Sequence, residues 1–176
     1  EKPIFVHLKK TILIEPCTWS ANILEQIIDN NIVENGLLIK KAISYVSSDN
    51  KRKEKKRKFI VRENDYSASR LTYDDNDFPE LAEDIELDTI DNIVDNLGLT
   101  KIDLLCGDVE NAEVDMIKGA KKSLEKGIIR NVAICTYHGP DNHNLISNIL
   151  KEYGFIDIIL DAGVTYGRSG TICFDN

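Results

Sequence analysis

Short apolar runs that alternate with apolar stripes at helical spacing constrain this chain more than any other feature. Residues 11–14, residues 37–44, the run at Ile102, Leu104 and Leu105, and residues 132–137 read as strands. The first is apolar without a break, as expected of a parallel strand buried on both faces. Helical stripes fall between these runs. One carries Trp19, Ile23, Leu24, Ile27, Ile28 and Ile32 and stops before Asn35-Gly36; another spans residues 89–97 and is closed by Gly98. A third carries Ala112, Met116, Ile117, Ala120 and Leu124, and a fourth Leu145, Ile146, Ile149, Leu150 and Tyr153 before Gly154. Such alternation specifies an α/β fold with a mostly parallel sheet. Residues 155–160 and 171–174, joined through Gly163, Gly167 and Gly170, are expected to close it as an antiparallel hairpin.

The 176 residues suffice for one domain with a substantial core, and 42% hydrophobic with 30% charged residues is ordinary soluble-protein composition. No apolar run approaches the roughly 18 residues that span a bilayer, and EKPIFVHLKK lacks the ordered regions of a signal peptide, so no membrane partner and a cytoplasmic address are expected. A net charge of −8 argues against a nucleic-acid partner. Residues 47–87 read as a charged, irregular insertion within the single domain 1–176. Its segment KRKEKKRK at 51–58 holds seven bases in eight residues, and residues 74–91 hold nine acids in eighteen, so the two blocks are expected to neutralise each other in part. No aromatic residue interleaves the basic run to stack on bases. Cys17, Cys106, Cys135 and Cys173 lack the close pairing of a zinc site and read as buried free thiols. His7 has no chemical context.

Candidate chemistry concentrates in IDLLCGDVENAE, residues 102–113, where the apolar run empties into Asp108, Glu110 and Glu113 at the mouth of a helix. In open α/β sheets ligands bind at the carboxyl edge of the strands. Carboxylates also favour a helix start because the macrodipole stabilises each by up to about 1 kcal/mol, and from this stretch alone that plainer reading is the stronger.

Taken in order, several segments resemble the FkbM-type S-adenosylmethionine-dependent methyltransferases. The strand end ILIEP at 12–16 is similar to the family's strand ending in Glu-Pro, and Ala42, Ile43 and Ser44 to its Ala-hydrophobic-Ser strand end. Ser67 to Ser69 and the helix start Thr89, Ile90, Asp91 follow the pattern, and CGDVENAE at 106–113 resembles its most specific motif. Gly119-Ala120, then Tyr137, His138 and Pro140, then Gly154-Phe155 complete the series. The resemblance implies a Rossmann-like class I methyltransferase sheet and transfer of a methyl group from S-adenosylmethionine to a hydroxyl on a sugar or other small metabolite. It implies cofactor contacts at Glu15 on the ribose, Ser44 near the adenine, and Asp108. His138 is the attractive general base, being near neutrality when unperturbed, while Asp108 or Glu110 is an alternative base, a metal holder or an acceptor-orienting group. A His138–His143 metal pair would require the Gly139-Pro140 turn to fold helically, so no histidine metal site is expected.

Three departures stand out. Cys106 replaces the family's Lys, which removes a cation from beside acids. Asn111 replaces its Gly, the least costly exchange if the backbone there is left-handed. The family's Gly-rich loop before Glu-Pro is not found, since the only glycine before Gly98 is Gly36. The expectation is therefore a domain whose first strand and loop lie upstream of Glu1. The runner-up is a degenerate, non-catalytic binding or assembly domain on the same scaffold.

Overall fold

The structure, a computed structural model, describes residues 9–33, 35–45, 56–61, 69–72 and 82–170. The expectations at His7, Ser67, Cys173 and the strand 171–174 fall outside these residues. Contacts divide the chain into a first unit, residues 1–42 and 54–87, and a second, residues 43–53 and 88–176.

In the first unit, β1 (Thr11–Ile14) pairs in parallel with β2 (Gly36–Ile39), Thr11 opposite Gly36 and Ile14 opposite Ile39. The helix α1 (Thr18–Asp29) follows Pro16, whose missing N–H ends pairing, and stops at Asn30 before the left-handed Asn31. Cys17 supplies no side-chain cap; the carboxylate of Glu15 accepts from the Cys17 N–H at 2.8 Å, and Glu83 accepts from the Thr18 N–H and hydroxyl at 3.1 and 2.6 Å. Two acids thus meet the positive end of the helix. Both strands are half-buried along their length and Trp19 is exposed, which corrects the expectation of a strand covered on both faces. Among the described residues each of these two strands has only the other as a ladder neighbour.

The run expected as a single strand over 37–44 is two, β2 and β3 (Ala42–Ile43), because Lys40 and Lys41 break it. Two adjacent ammonium groups cannot both enter an apolar layer; Lys40 instead pairs with Glu25 at 2.8 Å. The stretch expected to be irregular carries β4 (Lys56–Ile60), β5 (Arg70–Leu71) and β6 (Ala82–Asp88), in a sheet ordered β3-β6-β4-β5. Antiparallel pairing of β4 with β6 lays the end of the basic block along the acidic one, Lys58 opposite Asp84 with their charges 2.9 Å apart. The mutual neutralisation expected from the sequence is thus built into a ladder. Cys17, Ala42, Phe59, Leu71 and Ile85 form the apolar cluster beneath it.

In the second unit, α2 (Ile90–Leu97) begins at Thr89, whose hydroxyl accepts from the Asn92 N–H at 3.1 Å, and ends at Gly98 with φ 60°. β7 (Leu105–Gly107) lies parallel to β8 (Asn131–Cys135), with Gly107 opposite Ile134. The helix expected over 112–124 is two short ones, α3 (Glu113–Lys118) and α4 (Lys121–Glu125), parted at Gly119-Ala120. Gly119 is required there, since a Cβ would lie 2.6 Å from the Ser44 carbonyl oxygen. The buried carboxylate of Asp91 then caps α4, accepting from the N–H groups of Lys122 and Ser123 at 2.9 Å each and from the Ser123 hydroxyl at 2.7 Å.

α5 (Asn142–Glu152) is followed by β9 (Phe155–Asp161) and β10 (Val164–Ser169). Their hairpin turns at Ala162-Gly163, with φ 46° and 80°, the left-handed pair that suits a two-residue connection. The second hairpin strand therefore comes earlier than expected and incorporates Gly167. The sheet runs β7-β8-β10-β9, with one parallel and two antiparallel pairings. The architecture is α/β with short, mixed sheets in place of the mostly parallel sheet expected. Ile117, Ile129, Ile134, Ile146 and Leu150 are wholly buried within this unit. Among the described residues no helix is long and apolar enough to cross a membrane.

Candidate functional site

Parallel pairing of β7 and β8 places the residues that follow them side by side at one carboxyl edge. Asp108 to Glu113 leave β7, and Thr136 to His138 leave β8. The backbone of the first segment is tightly turned: Glu110 and Asn111 have φ 47° and 75°. Asn111 stands where a left-handed residue is needed, in accord with the expectation for its exchange with glycine. Glu110 has no such excuse, and a non-glycine residue held there stores on the order of 1 kcal/mol of strain.

Glu113, the first residue of α3, is wholly buried. Its carboxylate accepts from the Val109 N–H at 3.2 Å and from Asn142 Nδ2 at 3.4 Å, and it lies 2.7 Å from His138 Nδ1. A carboxylate offers only acceptors, so the imidazole is the donor at Nδ1 and Nε2 is the ring nitrogen turned toward Asp108 and Glu110. The His138 side chain is 7% exposed, and its Nε2 lies 3.2 Å from Glu110 Oε1 and 3.5 Å from Asp108 Oδ1. Neither contact has hydrogen-bond geometry, and Nε2 is buried without a hydrogen-bond partner among the described residues. Asp108 is exposed and takes the Tyr137 hydroxyl at 3.4 Å on its other oxygen, while the Tyr137 ring lies against the imidazole at 4.2 Å between centroids. The negative charge of Asp108 is the main cause that pushes the Tyr137 phenol above its usual range. Burial, followed by the same carboxylate, pushes the Cys135 thiol up to about 11.

Asp108, Glu110 and His138, named separately from the sequence, are thus one cluster. Glu113, Tyr137 and Asn142 complete it; the sequence marks Glu113 with Asp108 and Glu110 as a candidate site without a specific role, and gives Tyr137 and Asn142 no role in the chemistry. Glu113 had a signal, an acid at the start of a helix in the motif itself, but that signal equally fits favourable placement at a dipole. His143 does not pair with His138: its Nδ1 faces the Thr165 hydroxyl at 2.7 Å.

The other expected cofactor residues are placed differently. Glu15 belongs to the first unit, partly buried, with Oε1 on the Cys17 N–H; burial, the largest cause, raises its carboxyl pKa. Ser44 belongs to the second unit, is buried, and donates its N–H to the Asp88 carbonyl at 2.9 Å. Gly36 is no ligand cradle, since a Cβ there would meet Ile28 at 2.8 Å. Of the cysteines described, Cys17 is buried as expected, whereas Cys106 is exposed, because it alternates outward between Leu105 and Gly107 on β7.

No curated protein and no solved structure gives a significant match to this sequence. A family model for the methyltransferase FkbM domain matches residues 5–156, a span that contains Glu15, Ser44 and the whole Asp108–His138 cluster. By that match, which extends over most of its length, the chain belongs to the FkbM methyltransferase domain family.

Proposed function

We propose that this chain is an S-adenosylmethionine-dependent O-methyltransferase whose acceptor, a hydroxyl of a sugar or other small metabolite, sits against Asp108, Glu110 and His138. The observation that carries the reading is the bare Nε2 of His138, set by the buried Glu113 and facing two carboxylates at the sheet's carboxyl edge. When bound, the cofactor supplies an electrophilic methyl group on a sulfonium. Glu15 supplies a carboxylate suited to ribose hydroxyls, since among the described residues its Oε2 has no hydrogen-bond partner. The described residues offer no glycine cradle for the methionine end of the cofactor. The cluster orients the hydroxyl for in-line attack and takes up its proton as the O–methyl bond forms, the two aids such a transfer needs. The exposed Asp108 is the member an incoming acceptor meets first.

A second reading, a non-catalytic binding or assembly domain, draws support from Glu15, one oxygen of which is already committed to the start of α1. Calorimetric titration with S-adenosylhomocysteine separates the two. Binding that Glu15→Ala weakens markedly supports the enzyme; absence of heat, both here and in a longer chain that carries a Gly-rich loop upstream, rules it out. For catalysis, His138→Ala should lower turnover of an accepted hydroxyl substrate about 100-fold or more. Full turnover in that variant would remove His138 from the site.

A further inference from the structure

We propose that Asp108, Glu110 and His138 hold one divalent first-row cation of the Mn2+ or Zn2+ class. The three offer one ligand atom each, all within 4.8 Å of one another. Acids near one another are common on surfaces; the independent observation is the imidazole. Its side chain is 93% buried by its 7% exposure, its Nδ1 proton is committed to Glu113, and its Nε2 has no hydrogen-bond partner while it faces the two carboxylates. Leaving a buried polar atom unsatisfied costs about 1–3 kcal/mol. A cation shared by Nε2 and the two facing carboxylates removes that cost and balances their negative charge.

The spacing fits. Nitrogen and oxygen ligands lie about 2.0–2.2 Å from such an ion, so neighbouring ligand atoms around it stand roughly 3.0–3.5 Å apart. The Nε2 separations from Glu110 and Asp108 are 3.2 and 3.5 Å. At 3.2 Å an oxygen fails as a hydrogen-bond acceptor only by lying off the N–H direction, which is where a second ligand of a shared ion belongs. Glu113 completes the carboxylate–histidine arrangement that fixes the tautomer of a ligating imidazole. One imidazole with two carboxylates suits a borderline ion better than a soft one. With three protein ligands the ion keeps open positions, so a bound hydroxyl would ionise more readily, its proton then passing to a carboxylate oxygen of Asp108 or Glu110 that the ion leaves free and not to the ligated Nε2. That consequence rests on the function proposed above; the cation site itself does not.

The test needs neither methyl donor nor acceptor. Chelator-treated protein is titrated with MnCl2, free Mn2+ being read by electron paramagnetic resonance, and in parallel with ZnCl2 by calorimetry. One ion per chain is expected, with affinity reduced on the order of 100-fold in Asp108→Asn and in Glu110→Gln, at least tenfold in Glu113→Gln, and unchanged in Glu125→Gln. Circular dichroism of the two near-isosteric ligand variants confirms that they are folded, so the result does not depend on His138→Ala surviving. Absence of stoichiometric binding of either ion up to millimolar concentration overturns the proposal, as does binding that persists in the Asp108→Asn/Glu110→Gln double variant. Failure to bind S-adenosylhomocysteine leaves the cation result standing, and the reverse also holds, so the two ideas fail separately.

Discussion

Asn111 and Glu110 show how much a single backbone angle matters at this site. Both lie at positive φ, and asparagine tolerates that region because its short polar side chain can hydrogen-bond locally. Asn111→Ala should therefore cost about 1 kcal/mol in denaturant unfolding, whereas Asn111→Gly should be neutral or slightly stabilising. Equal loss in both variants would show that the Asn side chain, rather than its conformation, is what the turn requires. Glu113 makes the complementary point. A wholly buried carboxylate is tolerable only because three donors converge on it, and one of these, His138, thereby acquires its orientation.

At the scale of elements, the site depends on short pieces held by side chains from elsewhere in the sequence. α3 and α4 have only 6 and 5 residues, too short to persist unaided. Asp91 on α2 substitutes for an intrinsic cap on α4, and Gly119 lets the chain pass the Ser44 carbonyl between them. Asp91→Ala removes the acceptor for three donors and should destabilise by about 3 kcal/mol, while Asp91→Asn, which keeps an oxygen for Ser123, should cost roughly half as much. Thermal unfolding measures both, and loss below about 0.5 kcal/mol in the Ala variant would refute the capping role. The Thr-Ile-Asp start of α2, recognised in the sequence as part of a series, thus serves two helices: Thr89 caps its own, and Asp91 caps another.

At the scale of the whole molecule, pH gives a handle on the first unit. Burial, set against the Cys17 hydrogen bond, raises the Glu15 pKa above 4.5, so the folded protein favours the protonated carboxyl. Its contribution is fully present below the unfolded value and is lost as pH rises through the folded value. Glu15→Gln should accordingly melt higher than the parent at pH 7, with the difference fading toward pH ~4 as the parent carboxyl protonates. A difference that grows on acidification would contradict this sign. Much of the fold was legible beforehand for a local reason. Caps, glycine stops and apolar periodicity are encoded within a few residues, so β1, α1, α2 and α5 appear within a few residues of where periodicity placed them. Breaks that depend on distant neighbours were not legible. The split at Gly119 follows from close approach to Ser44, the strands inside residues 47–87 from cross-strand charge pairing, and the mixed sheet from a hairpin inserted beside β8. The site divides in the same way. The sequence by itself determined which residue types were present and that Asp108, Glu110 and His138 each follow a strand. Only the tertiary structure decided that they meet, because parallel pairing of β7 with β8 juxtaposes loops 25 residues or more apart and buries Glu113 beneath them, fixing which imidazole nitrogen faces the carboxylates.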